Sequence, residues 1–136
     1  MLTNNSELGE LLKSAKVIAV VGYSDKPFRT SNNIGNYLRQ AGYRVYPVNP
    51  TISEVDGLRV YPNLAEIPEP IDIVNVFRRA EFLGAVVDEA IVVKAKAVWA
   101  QLGVVDKDAA RRAEQAGLQM VMDRCIMVDH RMLISS

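Results

Sequence analysis

The chain has 136 residues, 49% of them hydrophobic and 24% charged, which is typical of a globular domain long enough to bury a full core. Its 16 basic and 16 acidic residues cancel, so no overall field attracts nucleic acid or an anionic membrane, and any anion site must be local. A single cysteine excludes an internal disulfide, and the sequence has neither a secretory leader pattern nor a membrane-spanning apolar run. We therefore expect a cytoplasmic protein with one domain over residues 1–136.

The first half of the chain alternates helices and strands. Ser6 can cap a short helix with an apolar face. Residues 17–21 (VIAVV) are continuously apolar and rich in β-branched side chains, which is the pattern of a strand covered on both faces. Ser31 or Asn32 can cap the next helix, and residues 44–48 form the second strand.

The second half continues the alternation after a weakly patterned stretch. The remaining predicted elements are, in chain order, a strand at 71–77, a helix at 81–94, a strand at 97–102, a helix capped by Asp106, and a strand at 118–122. The last stretch, residues 123–136, has no clear period.

Strict alternation of strand and helix predicts an α/β fold with a doubly wound, Rossmann-like parallel sheet. We expect five main strands in the order 3-2-1-4-5, with helices on both faces. Ligands bind such sheets beyond the carboxyl ends of the strands, where the winding reverses, here between strands 1 and 4. This rule selects four segments as walls of a site: residues 22–31, 48–50, 77–79 and 99–103.

The first of these segments has the composition of an anion site. Gly22 permits a tight exit from the strand, and the helix N-terminus that follows favours phosphate. Between them the loop supplies two cations and three hydroxyls: Ser24, Lys26, Arg29, Thr30 and Ser31. These residues could instead form an ordinary solvated loop, but their position between an apolar strand and a capped helix favours phosphate binding.

Two features argue against NAD as the ligand. The loop lacks the later glycines of G-x-G-x-x-G, since the next glycine after Gly22 is Gly35. The second strand ends in Val48, Asn49 and Pro50, with no carboxylate for the ribose hydroxyls. A longer cationic loop without an acid suits a nucleotide with additional phosphate, such as coenzyme A (CoA) with its 3′-phosphate, or NADP.

Taken together, these segments resemble the small CoA-binding proteins, which are standalone relatives of the N-terminal CoA-binding domain of the succinyl-CoA synthetase α subunit. The matching pieces span nearly the whole chain in order: IAVVGYSDKPFRTSNNIGNYLRQAGYRVYPVNP, GLRVYPNLAEIP, IDIVNVFRR, AVWAQLGV and AGLQMVMDRC. The resemblance implies a Rossmann-like domain that binds CoA with its pyrophosphate at the first loop. We expect adenine between the second and third strand exits, and the pantetheine arm beside Trp99 and Gln101. Trp99 itself is interpreted first as a core residue and second as a ligand contact.

The resemblance also implies which residues contact CoA. The glycine-opened loop of the family maps onto Gly22, Tyr23 and Ser24, and its cationic continuation maps onto Lys26 and Arg29. With the other strand exits, the predicted CoA-binding set is Gly22, Tyr23, Ser24, Lys26, Arg29, Thr30, Ser31, Val48, Asn49, Pro50, Phe77, Arg78, Arg79, Trp99 and Gln101. Because side chains alternate along a strand, we expect only one of the two adjacent arginines to face the ligand.

Binding can be carried over from the resemblance, whereas catalysis cannot. The synthetase needs a further α domain with a phosphorylated histidine, and it needs a β subunit. The only histidine in this sequence, His130, lies in the irregular tail. We expect it to form a surface salt bridge, because Asp129 and Arg131 lie beside it. We therefore predict a non-catalytic module for CoA or an acyl-CoA, with a protein partner or a homo-oligomer both open. The alternatives are an NADP-dependent oxidoreductase, with Tyr23 as its one candidate proton donor, and an interaction scaffold with a degenerate site.

Cys125 follows the fifth strand among Met and Ile residues, and we interpret it as a small buried hydrophobe. A nucleophile is one alternative, although no histidine is predicted near it, and a mixed disulfide with the CoA thiol is another. No His, Cys or carboxylate cluster has metal-ligand spacing, so we expect no metal.

Overall fold

A five-stranded parallel sheet with helices on both faces organises the structure, a computed structural model that describes residues 1–134. The strands are β1 (Val17–Val21), β2 (Arg44–Val48), the hairpin strands β3 (Glu54–Val55) and β4 (Leu58–Arg59), β5 (Ile73–Val76), β6 (Ala97–Ala100) and β7 (Gln119–Val121). The α-helices are α1 (Asn5–Ser14), α2 (Thr30–Gln40), α3 (Leu83–Val92), α4 (Lys107–Gln115) and α5 (Ile126–Leu133), with 3-10 turns at Leu64–Glu66 and Ala80–Phe82. The predicted fold class is confirmed.

The strand order is β2-β1-β5-β6-β7, so the predicted order was wrong: β5, the third strand of the main sheet, pairs with β1 and not with the outer edge of β2. Tyr61 covers that edge instead. Its N–H donates to the Pro47 carbonyl and its own carbonyl accepts from the Asn49 N–H, both at 2.9 Å. Pro47 was the signal in the sequence, because a strand residue without an N–H belongs at a sheet edge. The winding therefore reverses between β1 and β5.

Each face of the sheet is buried under its own set of helices. Every residue of β1, β5 and β6 is buried, as a parallel strand covered on both sides requires. Helices α1, α2 and α5 pack with the β3–β4 hairpin on the face that carries Ile18 and Trp99. Helices α3 and α4 pack on the opposite face, which carries Ala19 and Val76.

The helix starts agree only partly with the sequence predictions. Asp106 caps α4 as expected, through its side chain and the Ala109 N–H. Asn4, and not Ser6, caps α1, because its side-chain oxygen reaches the Glu7 N–H at 2.8 Å. Within the described part of the chain, no helix has both the length and the apolar character needed to cross a bilayer.

Helix α5 lies in the stretch where no period was found in the sequence, and the last two residues of that stretch lie outside the described residues. Its buried face includes Asp129 and His130 as well as Ile126, so an apolar period could not reveal it. The surface salt-bridge role expected for His130 is wrong: the ring is buried, and its Nδ1 lies 2.7 Å from the Tyr37 hydroxyl on α2. Asp129 pairs with Arg124 instead, at 2.7 Å.

Gly35 on α2 lies against the fully buried ring of Tyr23. A Cβ atom at Gly35 would lie 2.2 Å from Tyr23 Cε2, and the enclosed ring has no room to move away. We expect Gly35→Ala to lower the free energy of unfolding, measured in urea, by about 1–3 kcal/mol, the range for an overpacked core.

Gly9 on α1 is the matched control, because a Cβ atom there would meet only Leu133 Cβ at 3.9 Å. Gly9→Ala should raise the free energy of unfolding by about 0.5–1 kcal/mol, since alanine is the better helix former. Equal effects at the two glycines would contradict the packing of Tyr23 on Gly35.

Burial lowers the pKa of His130 from its usual 6.5. At pH values near and below 6.5, the unfolded chain therefore binds more protons than the folded chain. The free energy of unfolding should fall as the pH falls through this range, and it should be constant above about pH 7.5. Tyr37 and Tyr43 face the ring. His130 is the only histidine in the sequence, so its titration can be followed by NMR without ambiguity. A measured pKa at or above 6.5 would contradict this expectation. The expectation would also fail if His130→Gln left the pH dependence of the free energy of unfolding unchanged.

Candidate functional site

A crevice crosses the carboxyl ends of β1, β5 and β6, at the point where the winding reverses. It consists of two adjoining hollows that share Thr30 and Phe77. The first hollow has a volume of about 410 Å³ and is lined by Gly22, Ser24, Lys26, Arg29, Thr30, Ser31 and Phe77. The second hollow has a volume of about 570 Å³ and is lined by Thr30, Phe77, Arg78, Arg79, Gln101, Leu102, Gly103, Val104 and Cys125.

Another hollow of about 570 Å³ lies along the outer edge of β2, between α2 and the β3–β4 hairpin. Its Arg44 is already paired with Glu69, at 2.8 Å. Because ligands of doubly wound sheets bind beyond the carboxyl ends of the strands, we assign the candidate site to the crevice and not to this edge.

The loop after β1 is shaped by one close backbone approach and by its own serines. Gly22 has a φ of +89°, and a Cβ atom there would lie 2.6 Å from the Phe77 carbonyl oxygen. Glycine is therefore required where β1 leaves the sheet beside β5. Farther along, Ser31 Oγ accepts from the Ser24 N–H at 3.0 Å, and Ser24 Oγ accepts from the Lys26 N–H at 3.1 Å.

The N-terminus of α2 opens into the first hollow without a side-chain cap. The helix begins at Thr30, immediately after Arg29, so the expectation that Ser31 or Asn32 caps it was wrong. Uncapped N–H groups and the positive end of the helix dipole favour an anion. Lys26 and Arg29 are exposed beside it, and within residues 1–134 neither forms an ion pair.

Asn32 organises this loop, a role that its sequence pattern did not indicate. Its side chain is 2% exposed, and its Nδ2 donates to the Ser24 carbonyl at 2.8 Å and to the Asp56 carboxylate at 3.3 Å. Its Oδ1 accepts from Asn36 Nδ2 at 3.0 Å. One amide thus joins the loop, α2 and the turn of the β3–β4 hairpin, contacts between distant segments that no local pattern reveals.

Two aromatic residues of the predicted CoA-binding set lie in the core and not at the crevice. Tyr23 and Trp99 are fully buried, on the face covered by α1, α2 and α5. Burial raises the pKa of the Tyr23 hydroxyl. The Trp99 indole Nε1 donates to the Arg124 carbonyl at 2.9 Å, so this side chain supports the chain after β7.

The exit of β2 also lies outside the two hollows. Val48 is buried, Pro50 is exposed, and Asn49 Nδ2 donates to the Tyr23 carbonyl at 3.0 Å. Because β1 lies between β2 and β5, the exits of those two strands do not adjoin as the predicted order required. Asn49 instead ties the end of β2 to the loop after β1.

The β5 exit brings both of its arginines to the second hollow, so the expectation that only one would face it was wrong. Both guanidinium groups lie against the Phe82 ring, 4.5 Å from its centroid for Arg78 and 5.5 Å for Arg79. Arg79 is also paired with Glu81 at 3.2 Å. Because Arg78 forms no such pair within the described residues, it is the more available of the two cations.

Gln101 lines the second hollow although it is only 6% exposed. Its Oε1 accepts from Asn75 Nδ2 and from the Ile126 N–H, each at 3.0 Å. Because both donors approach from the protein interior, the amide Nε2 is the end of the side chain left to the hollow. Cys125, expected to be enclosed, packs partly on the core but also lines this hollow.

The strand order and the crevice define an α/β protein of the class that binds nucleotides beyond the carboxyl ends of its strands. Within this class, the chain belongs to the CoA binding domain family, whose profile matches residues 16–131. The resemblance to CoA-binding proteins is therefore confirmed.

Two relatives of similar length match nearly the whole chain. The uncharacterized protein YneT of Bacillus subtilis (strain 168) is 45% identical over 127 residues, which cover 93% of this chain and 94% of that protein. The solved structure of a hypothetical protein from Pyrococcus horikoshii OT3 has a TM-score of 0.94 at 39% identity, covering 97% of this chain and 93% of that one.

A third relative is much longer. The ADP-forming acetate–CoA ligase I of Archaeoglobus fulgidus is 29% identical over 127 residues, which cover 86% of this chain but 18% of the ligase. The chain therefore spans less than a fifth of that enzyme. This named relative is an acetate–CoA ligase, so the relation to succinyl-CoA synthetase suggested by the sequence is indirect.

Removal of the Asn32 side chain should loosen the loop. We expect Asn32→Ala to lower the free energy of unfolding by about 1–3 kcal/mol, because it leaves buried polar groups unpaired. Amide hydrogen exchange in residues 24–31 should become faster as well. Asn33 is an exposed neighbour whose one side-chain bond is to the Arg29 carbonyl, so Asn33→Ala should change stability by less than about 0.5 kcal/mol. Similar losses in both variants would contradict the role given to Asn32.

Proposed function

We propose that the protein binds CoA or an acyl-CoA in the crevice as a non-catalytic module. The observation that carries this proposal is the change in chemistry along the crevice. The first hollow is lined by cations, hydroxyls and an uncapped helix N-terminus; the second has the two β5 arginines and, at the exit of β6, a neutral amide with apolar neighbours. CoA has the same division, because its nucleotide end is strongly anionic and its pantetheine arm is neutral. Membership of the CoA binding domain family supports the same ligand.

In this proposal the pyrophosphate binds at the N-terminus of α2. Lys26 and Arg29 supply positive charge there, and Thr30 and Ser31 supply backbone N–H groups. The pantetheine arm then continues past Phe77 into the second hollow. There Gln101 Nε2 is an amide donor for its carbonyl groups, and Leu102 lines the apolar part.

The two rival functions differ from this proposal in what they need. An NADP-dependent oxidoreductase needs a proton donor, and its one candidate, Tyr23, is fully buried under α2. Reduction of a panel of small carbonyl compounds, followed at the nicotinamide band, would establish that activity. An interaction scaffold with a degenerate site predicts that Arg29→Ala leaves ligand binding unchanged while partner capture persists.

Isothermal titration of the reduced protein with CoA, dephospho-CoA and NADP tests the proposal. We expect CoA to bind more tightly than about 1 mM, and Lys26→Ala and Arg29→Ala each to weaken it by about 1.5–3 kcal/mol, the range for a hydrogen bond to a charged group. If one of these cations holds the 3′-phosphate, dephospho-CoA should bind the unaltered protein more weakly by a similar amount.

Lys13→Ala is the matched control, because Lys13 is an exposed lysine in the last turn of α1, before β1 and so at the opposite edge of the sheet. Its affinity for CoA should equal that of the unaltered protein. CoA binding weaker than millimolar would refute the proposal, and equal affinities for CoA and dephospho-CoA would exclude the 3′-phosphate role alone.

The module also suggests a partner. The Archaeoglobus ligase contains the matching segment within a much longer chain, so we propose that this chain senses CoA or presents it to another protein. A native mass spectrum of the purified chain would identify a retained ligand by its mass and count the subunits.

A further inference from the structure

We propose that Cys125 is an attachment point for the CoA thiol, where the protein exchanges with a CoA disulfide to form a mixed disulfide. This inference rests on the proposed function, because it requires the pantetheine arm to occupy the second hollow. Cys125 lines that hollow together with Gln101 and Arg78, and its side chain is only half-buried.

The Gln101 amide supplies an independent indication of a ligand beside the thiol. The residue is 6% exposed and its Oε1 is already bound by Asn75 and by the Ile126 N–H. Its Nε2 has no hydrogen-bond partner among residues 1–134 and is accessible from the second hollow. A carbonyl of the ligand in the second hollow would satisfy it.

The same contacts connect that amide with the cysteine. Ile126, whose N–H is held by Gln101 Oε1 at 3.0 Å, directly follows Cys125 in the chain. In pantetheine, a short ethylene link separates the last amide from the sulfur. An amide of the ligand bound at Gln101 would therefore bring the ligand sulfur close to Cys125 Sγ.

The segment that carries Cys125 is also held in place. The Asp123 carboxylate accepts from the Gly103 N–H at 2.7 Å, and the Arg124 carbonyl accepts from Trp99 Nε1 at 2.9 Å. The Arg124 guanidinium donates two bonds to the buried Asp129 carboxylate, at 2.7 and 2.9 Å. Cys125 is thus presented at a fixed position on the wall of the hollow, which favours reaction with a bound ligand.

The exchange is balanced without a further oxidant. The Cys125 thiolate attacks one sulfur of a CoA disulfide, the bond between the two CoA sulfurs breaks, and a new bond joins Sγ to the attacked sulfur. The other CoA leaves as a thiolate and takes up the proton that Cys125 released. One disulfide replaces another, and a reducing thiol reverses the reaction.

Intact mass measurement under non-reducing conditions tests this inference. The full chain, mixed with CoA disulfide and desalted, should gain the mass of one CoA less two hydrogens and lose it on reduction. Cys125 is the only cysteine, so the gain reports this residue even in the unaltered protein, and Cys125→Ser should show none. We expect CoA disulfide to react at least about tenfold faster than oxidised glutathione, because the crevice holds the nucleotide.

A double variant separates a directed reaction from mere thiol exposure. Lys26→Ala combined with Arg29→Ala should slow the reaction with CoA disulfide by a larger factor than the reaction with oxidised glutathione, whereas Lys13→Ala should alter neither. Absence of the adduct, or equal rates for the two disulfides, would overturn the inference. Titration of reduced CoA in the presence of reductant tests the proposed function separately, so failure of the cysteine reaction alone is distinguishable.

Discussion

The pairing of β1 with β5 is the contact on which the candidate site depends. It brings the end of β1 so close to the end of β5 that a side chain at Gly22 would collide with the Phe77 carbonyl oxygen. The loop after β1 is thereby turned towards α2, and Phe77 becomes the shared wall of both hollows. If β5 had paired with β2, as the sequence suggested, the cationic loop and the β5 arginines would lie on separate parts of the sheet edge.

A layer of side chains beneath the crevice keeps its walls in position. Asn32 and Asn49 hold the loop after β1, and Trp99 holds the chain after β7. Gln101 joins β6 to the first turn of α5. None of these bonds needs a ligand, so the geometry that would receive one exists beforehand, which reduces the entropy lost on binding.

The sequence was most informative where a single local pattern decides the structure. The buried runs of β1 and β6, the Asp106 cap and the composition of the first loop could all be recognised from neighbouring residues. The strand order could not be recognised in this way, because it depends on which edge of β2 is free. Pro47 was the one local sign that β2 lies at the edge of the sheet. The position of Tyr23 was missed for a related reason: in the sequence, an aromatic residue that follows a strand looks the same whether it contacts a ligand or packs in the core. Helix α5 escaped detection because its buried face uses Asp129 and His130.

The covering of the sheet edges affects how this chain behaves at high concentration. An open strand edge is a template on which another copy can add, and so a starting point for fibrils. On one side, Pro47 offers no donor and Tyr61 occupies the adjacent bonding positions; on the other, β7 is only three residues long. Neither edge gives an incoming strand a long ladder to extend, so the fold resists edge-to-edge polymerisation while its strand ends stay open for binding.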